Sequence, residues 1–392
     1  MTEWRECKLK ELADFNPTSL TAKNNLKFIN YLDTGNITKG KINTIQYLNL
    51  LTDEVPSRAK RVVKKNDIVY STVRPNQEHY GIIKNPVDNM VVSTGFAVLR
   101  SKEDICYSDF LYYFLTLPEN TEYLSNVAED STTAYPAITP DVIMDMDIFL
   151  PSLPEQKAIA EVLSSLDDKI DLLTRQNKTL EDLAQTYFRK WFVEDADEKL
   201  KKYPLSELMV IQNGFAFRSR DYQDAGKYKI VTIKNVQDGF IDTSGTTFLN
   251  QLPVGMPDYV LFIIGDVLIS LTGNVGRVGI VVEDNLLLNQ RVAKISPYNP
   301  EYLPFLYFYF RNETTREYLI NLAHGTAQAN LSPIETLKTE VSFSKTLIKK
   351  YSELFMPMYQ KIIKNKQQII VLQKLRDTLL PKLISGEVRV KL

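Results

Sequence analysis

Two short polar segments carry side chains that could recognise a planar, hydrogen-bonding partner. They are RPNQEHY at 74–80 and TGNVGR at 272–277. A guanidinium group can pair with the two acceptors of guanine, and an Asn or Gln amide can pair with the donor and acceptor of adenine. These residue types favour base recognition over bond-breaking chemistry. The candidate contacts are Arg74, Asn76, Gln77, His79, Tyr80, Thr272, Asn274 and Arg277.

Three further segments have a similar polar composition, and each has a structural alternative. The runs STTAY at 131–135 and GTAQAN at 325–330 lack an apolar period, which is typical of exposed loops. Either run could instead cap the helix that starts near Pro140 or Pro333. In NQR at 289–291, the alternation of a strand could bury one residue. The candidates here are Thr132, Thr133, Tyr135, Gln290, Arg291, Thr326, Gln328 and Asn330.

A group of cations precedes the first polar segment. Lys and Arg hold nucleic-acid phosphates without reading sequence, so this group predicts a phosphate track. A solvated basic surface is an equally good interpretation. The residues are Arg58, Lys60, Arg61, Lys64 and Lys65.

The sequence offers no catalytic constellation. The phosphate-binding motif G-x-x-x-x-G-K-[ST] is absent, as are the Asp-Pro-Pro and Asn-Pro-Pro motifs that hold the target amine in amino-methyltransferases. The glycines at 273, 276 and 279 have a three-residue spacing that suits a hairpin turn and not a dinucleotide site. Two His and two Cys leave almost no basis for a metal site. We therefore expect no catalytic residue, no metal and no cofactor bound by this chain.

An internal repeat organises the 392 residues. Residues 64–100 align with 263–295, and Asp67 and Asp266 anchor that alignment. Residues 31–49 align with 232–250, residues 108–126 with 303–321, and residues 131–143 with 325–337. The offset between the copies drifts from 199 residues at Asp67 and Asp266 to 193 at Pro140 and Pro333, as small loop insertions would produce.

The repeat predicts an α+β fold with two similar heads and two long helices. Short alternating runs rich in β-branched and aromatic residues indicate strands in each head. The predicted segments are a first domain at 1–150, a central helical region at 151–198, a second domain at 199–344 and a C-terminal helical region at 345–392.

Both helical regions show the 4-3 spacing of a coiled-coil seam. The seam predicted for the pair comprises Leu163, Leu166, Ile170, Leu173, Asn177, Leu180, Ile362, Asn365, Ile369, Leu372 and Leu379. Pro357 is expected to bend the second helix and Pro381 to end or kink it. The aromatic exit RKWF at 189–192 is expected to help dock a partner.

Charge favours pairing of the two helices with each other inside one chain. The central region carries a net charge of −5 and the C-terminal region +8, so opposite charges flank the seam. Each helix also has one Asn in its seam, and antiparallel pairing predicts an Asn177–Asn365 layer that fixes the register. Such a pair, about 57 Å long at 1.5 Å per residue over the central helix, would act as a ruler between two heads.

The central region resembles the DNA-specificity subunit of type I restriction–modification systems. The resemblance lies in LPSLPEQKAIAEVLSSLDDKIDLL at 150–173, followed by NKTLEDLAQTYFRKWFVE at 177–194. The C-terminal LRDTLLPKLISGEVRV at 375–390 is similar to the distal helical region of that family. FSKTLIKKYSELF at 343–355 departs from the pattern, because the proline-rich Glu-Gln-Lys entry of the first helix is missing there.

This resemblance implies two target-recognition domains, each of which reads one half of a bipartite site in double-stranded DNA. It implies helical regions that set the spacing and dock two methyltransferase (modification) subunits, with restriction subunits as further partners. It also implies that S-adenosylmethionine binds to those modification subunits. The polar loops listed above would then be the DNA-reading residues.

Composition limits the alternatives. The longest apolar runs are far shorter than the roughly 20 residues that span a bilayer, so we expect a cytoplasmic chain without membrane contact. The first and second domains carry net charges of −4 and 0, which is low for an autonomous DNA binder. We therefore expect weak DNA binding by the chain alone and tight binding in complex. The rival interpretation is a two-headed coiled-coil adaptor without a DNA role.

Overall fold

The computed structural model describes residues 4–130, 136–195, 202–324, 330–341 and 344–391. The chain divides into two compact units, which we call unit 1 (Met1–Asp168 with Gln373–Leu392) and unit 2 (Lys169–Leu372). Both combine small sheets with helices, which confirms the predicted α+β class. The two long helices contribute residues to both units, whereas the predicted layout treated them as separate segments. The predicted boundaries at 150, 198 and 344 therefore stay predictions.

Unit 1 is built on two four-stranded sheets. Their strand orders are β6-β3-β10-β7 and β2-β11-β8-β9, and a separate antiparallel pair joins β1 to β12. The strands are β1 (Arg5–Lys8), β2 (Ala13–Phe15), β3 (Phe28–Leu32), β4 (Ile37–Thr38), β5 (Lys41–Ile42), β6 (Gln46–Asn49), β7 (Ala59–Val62), β8 (Ile68–Ser71), β9 (Tyr80–Ile82), β10 (Met90–Ser93), β11 (Phe96–Ser101) and β12 (Asp147–Leu150). The helices are α1 (Leu9–Leu12), α2 (Ser108–Leu115), α3 (Pro118–Asp130), α4 (Pro140–Met144) and the long α5 (Leu153–Arg189).

Unit 2 has a similar strand arrangement, but its two sheets have five and three strands. Its sheets have the orders β14-β21-β18-β19-β16 and β17-β15-β20, and β13 pairs with β22. The strands are β13 (Tyr203–Pro204), β14 (Met209–Asn213), β15 (Tyr228–Val231), β16 (Gly239–Phe240), β17 (Thr247–Leu249), β18 (Val267–Ser270), β19 (Val278–Ile280), β20 (Leu286–Leu288), β21 (Val292–Pro297) and β22 (Glu340–Val341). The helices are α6 (Leu303–Arg311), α7 (Glu313–His324), α8 (Pro333–Lys338) and the long α9 (Lys345–Ile384).

The turn before β8 and β18 shows the repeat at the level of single residues. Asn66 and Gly265 both have positive φ, at 67° and 96°, where Gly or Asn is the least strained choice. The next residue in each unit is a buried aspartate paired with a cation across the sheet: Asp67 with Arg100 and Asp266 with Lys294, each at 2.7 Å. Both carboxylates also accept a backbone N–H three residues upstream. The same local design fixes both hairpins.

Aromatic helices fill the core of each unit. In α6, all the residues from Pro304 to Phe310 are buried, and Phe305 stacks on Tyr309 with ring centroids 5.9 Å apart. Phe188 and, within the RKWF exit, Phe192 pack into the same core, with Phe192 5.0 Å from Phe305. The expectation that RKWF docks a partner is wrong for Phe192, because apolar burial inside unit 2 already uses that ring.

The long helices α5 and α9 pair antiparallel within the chain, as the seam spacing predicted. In unit 2, Tyr351 donates a hydrogen bond to the carbonyl of Ala184 and Asn365 meets Asn177. In unit 1, Arg376 binds Asp167. The structure buries Leu163, Ile170, Leu173, Asn177, Ile362 and Asn365, and half-buries Leu166, Leu180, Ile369, Leu372 and Leu379.

Neither proline ends α9. The helix runs through both Pro357 and Pro381 to Ile384. A proline removes one backbone hydrogen bond, while the buried neighbours Phe355 and Tyr359 hold the helix against the core. Near Pro381, Leu380, Leu383 and Ile384 are likewise buried. The helix end expected at Pro381 is therefore wrong, whereas the alternative kink at Pro381 and the bend expected at Pro357 stay predictions.

The Asn177–Asn365 layer is only partly satisfied. Asn365 Nδ2 donates to Asn177 Oδ1 at 2.9 Å, and Asn177 Nδ2 lies 3.5 Å from the Ile362 carbonyl. Asn365 Oδ1 is buried and has no hydrogen-bond partner among the described residues. A polar layer of this kind costs stability relative to an apolar one and is retained where it specifies register.

We predict strong coupling between these two side chains. Asn365→Leu should destabilise the chain by about 1–3 kcal/mol, because it strips Asn177 of its buried partner. The Asn177→Leu/Asn365→Leu double variant should cost less than the two single costs combined. Urea unfolding followed by circular dichroism measures all three variants against the wild type. Additive single and double effects would contradict the predicted layer.

Candidate nucleic-acid interface

In each unit, backbone pairing joins the loop after β8 or β18 to the residues that directly precede α4 or α8. In unit 1, Val73 and Ala137 form an antiparallel bridge, and Ile138 N–H donates to the Thr72 carbonyl at 2.8 Å. In unit 2, Thr272 bridges Asn330, and Leu331 N–H donates to the Leu271 carbonyl at 2.8 Å. The loop after β8 or β18 and the segment before α4 or α8 therefore form one surface in each unit.

The loop of unit 1 holds Arg74 in an unusual backbone conformation. Arg74 has a φ of 47°, which is left-handed and costly for a residue with a side chain. Its N–H donates to the Pro136 carbonyl at 2.9 Å, and its own carbonyl accepts from Gln77 N–H at 2.9 Å. The side chains of Arg74, Asn76 and Gln77 are exposed. The structure thus fixes the backbone and presents these three side chains outward.

A recess of about 180 Å³ lies beside Arg74. It is lined by Arg74, Pro75, Asn76, Pro136 and by Ser125, Ala128 and Glu129 of α3. Sequence reasoning missed Ser125 and Glu129. Their i, i+4 spacing places them on one helix face, but only the fold shows that this face borders the loop.

The loop of unit 2 presents a different set of groups. Asn274, Gln290 and Arg291 are exposed. Arg277 is half-buried, and its guanidinium donates to Gln237 Oε1 at 3.0 Å. Gln237 was missed in the sequence because it lies 40 residues upstream, in the turn before β16.

Thr272 and Asn330 lie where the two segments of unit 2 meet. Thr272 is half-buried, and its hydroxyl has no hydrogen-bond partner among the described residues. Asn330 is exposed beside it. The positions Thr132, Thr133, Tyr135, Thr326 and Gln328 lie outside the described residues, and their predicted contacts stay predictions.

Two candidates of the first loop are buried or half-buried. Tyr80 is 6% exposed and stacks on Tyr70 with ring centroids 5.5 Å apart. Burial raises the pKa of Tyr70 to about 12 and also raises the pKa of Tyr80. His79 is half-buried, and its Nδ1 lies 2.7 Å from the Ile37 carbonyl, to which only an N–H can donate. The burial of Tyr80 contradicts its predicted DNA contact, whereas the contact predicted for the half-buried His79 stays a prediction.

The basic cluster divides into surface and structural residues. Arg58, Lys60, Lys64 and Lys65 are exposed, as a phosphate track requires. Arg61 instead turns inward and donates to the Asn16 side chain and the Phe96 carbonyl, and burial lowers its pKa. Because β7 alternates its faces, Lys60 points out where Arg61 points in. Arg61 is therefore a correction to the predicted track.

Two kinds of feature are absent from the described ranges, 4–130, 136–195, 202–324, 330–341 and 344–391. No cluster of His, Cys, Asp and Glu there could hold a metal ion. No helix in those ranges is long and apolar enough to cross a membrane.

Comparison with known proteins identifies the family. The family model described as "Type I restriction modification DNA specificity domain" matches residues 1–182 and again 197–342. The chain belongs to the type I restriction-modification DNA-specificity family. This membership confirms the resemblance inferred from the central helix, and it makes the chain a DNA-recognition subunit rather than a catalytic one.

Individual relatives share this assignment over most of the chain. The type I restriction enzyme HindI specificity subunit of Haemophilus influenzae is 26% identical over 470 residues, covering 99% of this chain and all of the relative. The MjaIX specificity subunit of Methanocaldococcus jannaschii is 27% identical over 368 residues, covering 88% and 82%. A crystal structure of an S subunit from M. genitalium has the same fold, with a TM-score of 0.58, 18% identity and coverage of 97% and 96%.

We predict different consequences for substitutions at two neighbouring cations of the specificity subunit. Lys60→Gln should weaken DNA binding at every sequence and reduce the slope of log affinity against log salt by about one. Arg61→Gln should instead lower the free energy of unfolding by about 1–3 kcal/mol, because it leaves two partly buried acceptors without their donor.

Fluorescence anisotropy with duplex DNA over a salt series, together with urea unfolding, separates the two effects. If Lys60→Gln left the salt slope unchanged, Lys60 would not be a phosphate contact.

Proposed function

We propose that each unit of this specificity subunit reads one half of a bipartite DNA site. The observation that supports this is the pair of hairpin loops held by equivalent backbone bridges in units 1 and 2. The two loops have the same backbone fastening and different side chains. Recognition of two different half-sites requires similar backbone support and different base-contacting side chains.

In unit 1 we assign base contacts to the exposed Arg74, Asn76 and Gln77. In unit 2 we assign them to Asn274, Arg277, Gln290 and Arg291, with Asn330 beside them. Arg58, Lys60, Lys64 and Lys65 hold the phosphates of the first half-site. The paired helices α5 and α9 set the spacing between half-sites.

Residues inserted into the long helices would alter this spacing only where the fold stays intact. An insertion near Ala184 is unsuitable, because Ala184 is fully buried and its carbonyl accepts the Tyr351 hydroxyl. Three or four extra residues there would displace Phe188 from the core of unit 2. That site would test folding rather than spacing.

We also propose that α5 and α9 dock two modification subunits, which bring S-adenosylmethionine. Apolar side chains on the outside of these helices support this: Leu172, Leu183 and Tyr187 are 40–42% exposed on α5, and Val371 is 63% exposed on α9. Leu172 also borders a groove of about 360 Å³ with Gln176, Thr179 and Lys361. The spacing of Leu172, Gln176, Thr179, Leu183 and Tyr187 forms one stripe on α5.

The reading groups predict half-site-specific effects. Arg74→Ala should weaken discrimination by about 1–3 kcal/mol at one base pair of one half-site, and Arg291→Ala should do so only in the other half-site. Mapping of modified adenines in cells that make the complex supplies the wild-type motif, and the variant motifs are then compared with it. A continuous wild-type motif would overturn the two-reader proposal, as would relaxation of the same half-site by both variants.

The docking stripe predicts a loss of assembly without a loss of folding. Leu172→Asp/Leu183→Asp should weaken binding of modification subunits at least tenfold, because it places charge in an apolar contact. Lys178→Asp, which also adds an aspartate to an exposed face of α5, is the matched control and should assemble normally. Analytical ultracentrifugation of the purified subunits measures both. Normal assembly of the stripe variant would rule out this surface.

A further inference from the structure

A buried arginine in unit 2 links the long helices to the DNA-reading loop. Arg311 lies at the end of α6, and its side chain is only 17% exposed. Its guanidinium binds Glu181 Oε2 of α5 at 2.8 Å and lies 3.5 Å from the Val278 carbonyl. It also packs over the Tyr307 ring, 5.4 Å from the centroid. One side chain therefore touches both the helix and the strand that begins directly after Arg277.

The fold leaves a specific space for this guanidinium. Gly239 has a φ of 85°, and a Cβ built there would lie 2.8 Å from Arg311 Nη1. A side chain at this position would be strained by the backbone conformation and would displace the arginine. Gly239 thus permits the turn conformation and leaves room for the guanidinium of Arg311.

The contacts of Arg311 reach the reading loop along two routes. The first is the backbone of Val278, which directly follows Arg277. The second is the turn that holds Gln237 and Asp238: Gln237 Oε1 accepts from Arg277, and Asp238 lies 3.8 Å from Arg311 and 3.1 Å from Arg316. Arg311 thus contacts the residue that follows Arg277 and the residue that follows Gln237, the side-chain partner of Arg277.

The opposite end of the link is held by the helix pair. Tyr307 donates to Glu181 Oε1 at 3.0 Å, and Lys366 of α9 lies 3.8 Å from the same oxygen. Glu181, Arg311 and Lys366 are each no more than 17% exposed. A charge cluster this buried is strongly sensitive to the loss of one member, because the remaining charges lose their compensation.

Unit 1 lacks the equivalent residue. In the repeat, Thr116 stands where unit 2 has Arg311, and its hydroxyl donates to the carbonyl of Tyr112 in its own helix. The carboxylate on α5 is Asp167, which accepts from Tyr113 and pairs with Arg376 of α9. The carboxylate clamp of unit 1 is therefore Asp167 with Tyr113 and Arg376, whereas Thr116, in the place of Arg311, is hydrogen-bonded within its own helix.

We propose that Arg311 is a positioning residue that couples the α5–α9 pair to the orientation of Arg277. Readout of the second half-site then depends on the geometry of the helices, whereas readout of the first does not. This inference rests on the proposed function of the two loops. It makes the helix pair a regulator of specificity as well as a spacer.

The test uses Glu181→Gln in the full chain assembled with its modification subunits. Glu181 lies outside the reading loop, so a direct DNA contact cannot explain an effect on specificity. Asp167→Asn is the matched control, because it weakens the clamp of unit 1. The measured quantity is the ratio of Kd for a duplex with one substituted base pair to Kd for the wild-type target, taken for each half-site.

Glu181→Gln should lower this ratio about tenfold in the half-site of unit 2 and leave the other ratio unchanged. Asp167→Asn should leave both ratios unchanged. An unchanged ratio for Glu181→Gln, or an equal loss in both half-sites, would overturn the coupling. If Glu181→Gln does not fold, Arg311→Lys replaces it, since lysine keeps one cationic contact with Glu181 but cannot also hold the Val278 carbonyl.

The wild-type complex separates this inference from the function on which it rests. If wild-type discrimination is absent in one half-site, the two-reader proposal fails. If both half-sites are discriminated and the variants change neither, only the coupling fails.

Discussion

The fastening of the reading loops by main-chain hydrogen bonds is the constraint on which the rest of the structure depends. A loop that offers its side chains to a ligand must satisfy its backbone elsewhere, since an unpaired peptide group is costly. Here the segments before α4 and α8 supply the partners, through Ile138 in unit 1 and Leu331 in unit 2. Ser71 and Ser270 add the same side-chain bond, to the carbonyl two residues ahead. The backbone of each loop is therefore held by hydrogen bonds within its own unit.

Because the backbone is held in common, the two units can differ in side chains at little cost to the fold. Arg74 occupies the left-handed position that Gly273 fills in unit 2. A glycine adopts that conformation freely, whereas an arginine there is strained. The fold therefore tolerates backbone strain at Arg74, which places a guanidinium group at this point of the first loop. Thr116 and Arg311 differ in the same way, at equivalent ends of the aromatic helices.

The sequence predicted the parts of this structure that repeat or follow a period. The seam spacing located Asn177 opposite Asn365, because a heptad pattern states which residues face a partner. It was harder to predict on which face of a strand a given side chain lies. Arg61 and Tyr80 look like surface residues in a polar context, yet β7 and β9 turn them inward. Only the pairing of each strand fixes that choice. The role of Arg311 was also hidden, because its contacts come from distant parts of the chain.

The pairing of cations inside the fold limits how many positive charges this nearly neutral chain can offer to DNA. Several cations are bound by partners inside the fold: Arg61 by Asn16, Lys294 by Asp266 and Arg311 by Glu181. Ion pairs leave the net charge of the chain unchanged, but these cations are not available to phosphates. Since phosphate neutralisation supplies most non-specific affinity, the exposed lysines of the first unit can orient DNA but provide few contacts. The proposed modification subunits would have to supply the remainder, which ties tight binding to assembly and leaves this chain mainly to select the sequence.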